Sequence, residues 1–97
     1  QIVSALSSNE NIRQIATELL LPLRAHGSDS SLDLLDTLST FIRCNYNTSQ
    51  TARVLHIHRQ SLLYRLEKIK DLTGLSLDDH KDLFLLEISL RVFSLYL

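Results

Sequence analysis

The chain is poor in the residues that make turns: its 97 residues include 2 glycines and 1 proline. An all-β sandwich or barrel needs a turn signal every 8–12 residues or so, and that class is excluded. Cysteine is scarce too. Cys44 stands alone and cannot close an internal disulfide, so a reducing compartment, the cytoplasm, is expected. Aromatic residues amount to 6%, and methionine and tryptophan are absent. Long apolar runs are missing as well. The longest, Leu83-Phe84-Leu85-Leu86, falls far short of the roughly 20 residues that span a membrane, and no membrane partner is expected. No initiator methionine or signal-like leader is seen at Gln1, which suggests a fragment of a longer protein.

What is present is mostly leucine, 22 residues of it, within a hydrophobic share of 44% and a charged share of 22%. That balance is globular rather than disordered, and the length fits one domain over residues 1–97. The net charge of −1 argues against a nucleic-acid partner when taken whole. Its distribution argues otherwise. Residues 51–70 carry Arg53, Arg59, Arg65, Lys68 and Lys70 against Glu67 alone, net +4, while the remainder has five basic and ten acidic residues, net −5. A solvated helix face is the plainer explanation of such a run when charge is considered by itself.

Apolar spacing predicts five helices, an all-α bundle. The first, about Asn9 to Leu21, carries Ile12, Ile15, Leu19 and Leu23 after the caps Ser7 and Ser8; Pro22 should end or kink it. Residues 26–31 read as a loop. The second spans about Leu32 to Arg43, capped by Ser30 or Ser31, with a stripe of Leu32, Leu35, Leu38 and Ile42 widened by Leu34 and Phe41. The third is short, Thr48 to Leu55, with Asn47 and Gln50 in a capping arrangement. After His56-Ile57-His58, the fourth runs from Arg59 to about Leu72, with Leu62, Leu63, Leu66 and Ile69 inward and Gly74 as the left-handed cap. The fifth starts after Asp78 or Asp79 and reaches Leu97. The organisation is therefore a leading helix in 1–26, a core in 32–72 and a C-terminal packing or dimerisation helix in 78–97.

The third and fourth helices together make a helix-turn-helix pattern: a short helix, a tight turn and a second helix with a basic outer face. Small Ala52 lets the two approach, and Ile57 can plug the joint. On the fourth helix, Leu62, Leu66 and Ile69 mark the buried direction, and Gln60, Tyr64, Glu67 and Asp71 lie nearly opposite. Recognition helices meet bases with their N-terminal residues, so Arg59, Gln60 and Tyr64 are the candidates for base reading. The alternatives are first-turn capping for Gln60 and packing against a neighbouring helix for Tyr64; Leu63, if exposed instead of inward, could contact a thymine methyl. Ser49, Gln50, Ser61, Arg65 and Lys68 supply donors for phosphates. Arg53 fits a phosphate contact or a salt bridge equally well. Acidic Glu67 and Asp71 imply that the far end of the helix tilts away from DNA.

The run Asn45-Tyr46-Asn47-Thr48-Ser49-Gln50-Thr51-Ala52-Arg53-Val54-Leu55, followed by His56-Ile57-His58-Arg59-Gln60-Ser61-Leu62-Leu63-Tyr64-Arg65-Leu66, resembles the C-terminal helix-turn-helix domain of PucR/CdaR-type bacterial transcriptional regulators. The likeness continues through Ile69, Leu72-Thr73-Gly74, Leu77 and the last helix, and upstream through Leu34-Leu35-Asp36-Thr37-Leu38. It implies a compact bundle of about five helices with a Fis-like helix-turn-helix. It further implies binding of double-stranded operator DNA as a homodimer, with sensory domains N-terminal to this one. Two departures stand out: Gln60-Ser61 where the family pattern has Asn-Thr, and His80 where it often has proline.

No cofactor, metal or catalytic role is expected. His56 and His58 lack further ligands at metal spacing and fit a turn and a helix cap. No acid–base constellation accompanies His58 and Ser61. Cys44 fits a small buried hydrophobe. Leu83, Leu86, Leu90 and Phe93 repeat at 3-4-3 spacing like a coiled-coil seam, and the other faces of that helix are apolar as well. A second copy is expected to cover it, which makes Leu83, Leu86, Leu90 and Phe93 a dimer interface; the chain's missing N-terminal part, or a central place in the bundle, would cover it as well. A helical interaction or dimerisation module whose basic face is merely solvated is the rival to DNA binding.

Overall fold

Apolar stripes and capping residues coincide at five places, and each becomes a helix. The computed structural model describes residues 10–25 and 34–96: α1 (Glu10–Ala25), α2 (Leu34–Arg43), α3 (Thr48–Leu55), α4 (Arg59–Thr73) and α5 (His80–Tyr96), with no strand among the described residues. The expected caps Ser7, Ser8, Ser30 and Ser31, the 26–31 loop, Leu32 and Leu97 lie outside them.

In α1 the inward stripe is Ile12, Ala16, Leu20 and Leu23, with Leu19 at its side. Ile15, expected inside, is half exposed, because the stripe is centred about a quarter turn away from it. The expected stop at Pro22 does not occur, and the helix runs on to Ala25. An interior proline costs about 3 kcal/mol through its missing N–H. Continuing the helix keeps Leu23 one turn beyond Leu20, and both are fully buried. Burial of each is worth about 1.5–3 kcal/mol, which offsets the loss.

On α2 the centre of the buried face is Leu34, Leu38 and Phe41, while Leu35 and Ile42 flank it. Two threonines share this face, and each hydroxyl accepts a bond: Thr37 from Arg65 Nη1 at 3.2 Å and Thr40 from Arg43 Nη2 at 3.2 Å. The helix closes through left-handed Asn45 and Tyr46, with the Tyr46 N–H donating to the Phe41 carbonyl at 2.9 Å. That turn sets the Tyr46 ring edge-on to Phe41, centroids 5.6 Å apart, and lets its hydroxyl donate to Glu87 of α5 at 3.3 Å. Partial burial, and then the Glu87 carboxylate, raise the Tyr46 phenol above its ordinary pKa of 10.0. The folded state thus holds this proton more tightly. Its stabilising contribution is complete below the unfolded pKa and lost as pH rises through the higher folded value. Thermal melts between about pH 9 and 11 should show a smaller alkaline loss for Tyr46→Phe than for the parent.

α5 is capped by Asp79, whose Oδ1 accepts from the Lys81 and Asp82 N–H groups at 2.8 and 3.3 Å. Its main partner is α1, which also touches α2 and α4; α2 and α3 both pack on α4. Leu83, Leu86, Val92 and Phe93 join residues of the other four helices in one core. The seam expected to face a second copy is therefore occupied within the chain. Leu83, Leu86 and Phe93 are buried, and Leu90 is half buried against the same core. The physical reason is that α1, whose Ala16, Leu20 and Leu23 are buried in the same core, is the main partner of α5 and covers that side of it. Phe84 and Leu85 stay exposed instead.

Candidate nucleic-acid interface

The helix-turn-helix is assembled by local chemistry. Asn47 caps α3 as expected, its Oδ1 accepting the Gln50 N–H at 2.9 Å, and the buried Thr51 hydroxyl donates to the Asn47 carbonyl at 2.6 Å. Thr51 and Ala52 are the buried residues of α3, which packs on both α2 and α4. The turn between the helices depends on His56, which takes the left-handed conformation at φ 57° and ψ 43°. The Ile57 N–H then donates to the Ala52 carbonyl at 3.0 Å, and the Ile57 side chain packs against the core. A glycine pays no steric penalty at such a φ, whereas a β-branched residue does. His56→Gly should keep or raise stability, and His56→Val should cost about 1–2 kcal/mol, as read by urea denaturation.

α4 begins at Arg59 with His58 as N-cap, whose side chain makes no capping bond. Gly74 closes it at φ 73°, its N–H donating to the Lys70 carbonyl at 2.8 Å. Leu62, Leu66 and Ile69 are buried as the spacing predicts. Leu63, expected inward, is 38% exposed.

The predicted base readers come together on one surface. Arg59, Gln60 and Ser61 are exposed in the first turn, and Tyr64 follows one turn later at 54% exposure. Lys68 Nζ lies 5.9 Å from the Tyr64 ring centroid, a cation–π contact that holds ring and ammonium side by side. Ser49 and Gln50 are exposed at the start of α3, but the Gln50 backbone N–H is already taken by Asn47, which leaves its side-chain amide as donor. Arg65 is half buried, and the bond to Thr37 draws its guanidinium toward α2 rather than straight outward. Sequence spacing could not show this, since the two residues are 28 positions apart. Exposed Glu67 lines a shallow groove with Leu63, Leu66, Phe41, Tyr46 and Thr48, on the same flank as Lys70. Among the described residues no group of acidic, histidine or cysteine side chains could hold a metal ion, and Cys44 is buried and free.

A short helix, a left-handed turn and a second helix with a polar, basic outer face define a helix-turn-helix domain of the DNA-binding kind found in transcriptional regulators. The family model for the PucR C-terminal helix-turn-helix domain matches residues 34–92, and the chain belongs to that family. It is 34% identical to the purine catabolism regulatory protein of Bacillus subtilis over 86% of this chain and 15% of that protein. It is 40% identical to the carbohydrate diacid regulator of Escherichia coli over 79% of this chain and 20% of that protein. The transcriptional activator PmfR of Paenarthrobacter nicotinovorans is 39% identical over 62% of this chain and 13% of its own length. The chain thus spans a fifth or less of these relatives. No solved structure matches it.

Proposed function

We propose that this domain binds double-stranded operator DNA for a bacterial transcriptional regulator, with α4 in the major groove. The observation that carries the reading is the exposed first turn Arg59-Gln60-Ser61, presented by the left-handed His56 turn on a helix whose opposite side is core. Arg59 suits guanine O6 and N7, and Gln60 suits adenine N6 and N7; Tyr64 adds a base contact. Ser49, Gln50, Ser61, Arg65 and Lys68 hold phosphates on either side. The named relatives are regulators, and a role in regulation rather than catalysis fits the chain. Two copies acting on paired half-sites, in the cytoplasm and under control of sensory domains elsewhere in a longer chain, complete the proposal. No helix among the described residues is long and apolar enough to cross a membrane.

The test is a fluorescence-anisotropy titration of duplex DNA at rising salt. A log–log loss of affinity with a slope near −0.9 per phosphate contact is expected, because each contact releases condensed counterions. Absent or salt-insensitive binding would leave the basic face as a merely solvated one.

A further inference from the structure

The outer ridge of α4 does not end with its first turn. Each of Gln60, Leu63, Tyr64 and Glu67 lies three or four positions from another of them, so they form one continuous strip, which Asp71 extends. All four are exposed. None of the four is itself a cation, and the nearest ammonium, that of Lys68, lies over the Tyr64 ring. Arg59 and Lys70 flank it on one side, and Ser61, Arg65 and Lys68 on the other. The Glu67 carboxylate repels phosphate oxygens, whereas base edges offer partners for each of the four groups.

Leu63 and Glu67 both line the groove beside Phe41, Tyr46 and Thr48. Among the described residues no hydrogen bond or ion pair engages Glu67. An exposed leucine presents only apolar surface, and the thymine 5-methyl is the apolar feature of the major groove. An unengaged carboxylate is only an acceptor, and the cytosine N4 amino group is the donor that it matches there.

We propose that Leu63 and Glu67 are specificity-determining residues, Leu63 packing on a thymine 5-methyl and Glu67 accepting from a cytosine N4 amino group. This rests on the major-groove reading above. It replaces the expectation that acidic Glu67 marks a part of the helix turned away from DNA. The two residues are separated by about 6 Å along the helix, so the two bases lie within about two base pairs of each other.

The experiment begins with selection of bound sequences from a randomised duplex library by the 97-residue chain and its Leu63→Ala and Glu67→Gln variants. Both positions are exposed, and circular-dichroism melts confirm that the variants are folded. Each thymine of the parent's preferred site is then replaced singly by deoxyuridine, which removes the methyl group alone. The parent is expected to lose about three- to fivefold in affinity at one thymine, and Leu63→Ala to bind thymine and uracil there alike. Glu67→Gln is expected to lose the preference for cytosine at one nearby position, by at least about fivefold. A parent blind to uracil at every thymine, or a uracil penalty that persists in Leu63→Ala, overturns the role of Leu63. A Glu67→Gln variant that selects the parent's motif and merely binds every duplex more tightly overturns the role of Glu67. Failure of the parent to select any duplex is a different result. It overturns the DNA-binding reading, and this inference with it.

Discussion

Arg59→Ala is expected to lower affinity for the selected site about 5- to 150-fold, or about 1–3 kcal/mol at one base pair, without lowering the melting temperature. Arg59 is exposed in the first turn of α4, so its loss should remove the proposed base contact and little else. Arg65→Ala should behave differently. Arg65 is half buried and bonds Thr37 across to α2, and its aliphatic stem packs as well. Its removal should weaken all sequences alike, make the salt slope shallower by about one unit and destabilise the domain by about 1–2 kcal/mol. Anisotropy on matched and scrambled duplexes, paired with thermal melts, separates the two. If both variants lost affinity equally and without regard to sequence, the division between base reader and phosphate holder would be wrong.

Leu86→Ala is expected to cost about 2–5 kcal/mol, since Leu86 is fully buried in the core that α1 and α5 share and truncation leaves a cavity. A domain of this size has only about 5–15 kcal/mol in total, so the melting temperature should fall by at least about 10 °C. Phe84→Ala, two residues earlier and 65% exposed, should change stability by less than about 0.5 kcal/mol. Thermal denaturation of both variants is the measurement. A loss at Phe84 as large as that at Leu86 would mean that α5 presents a different face to α1.

The helix-turn-helix itself is legible in the sequence. Asn47 and Gln50 announced the start of α3, and Gly74 the end of α4, because capping is chemistry among neighbours in sequence. The stripe Leu62–Leu66–Ile69 was legible for a similar reason: a helix with one apolar side can bury only that side. Leu63 was harder, being apolar yet on the flank of that stripe, where spacing alone left it inward. His56 was harder still, since its left-handed conformation is tolerated by histidine but not announced by it.

The sequence by itself determined the helical class, the positions of α3, α4 and their caps, and the concentration of positive charge on 51–70. These depend on residues a few positions apart. The tertiary structure alone decided three things. It chose the buried face of α5, because a helix apolar on nearly every side has no preference until a partner, here α1, comes to lie on one of them. It carried α1 past Pro22, because the local cost of a missing N–H is set against burial of Leu23 in a core built from the whole chain. And it turned Arg65 toward Thr37, a partner brought near only by the packing of α2 on α4, so that a side chain read as a free cation became part of the fold.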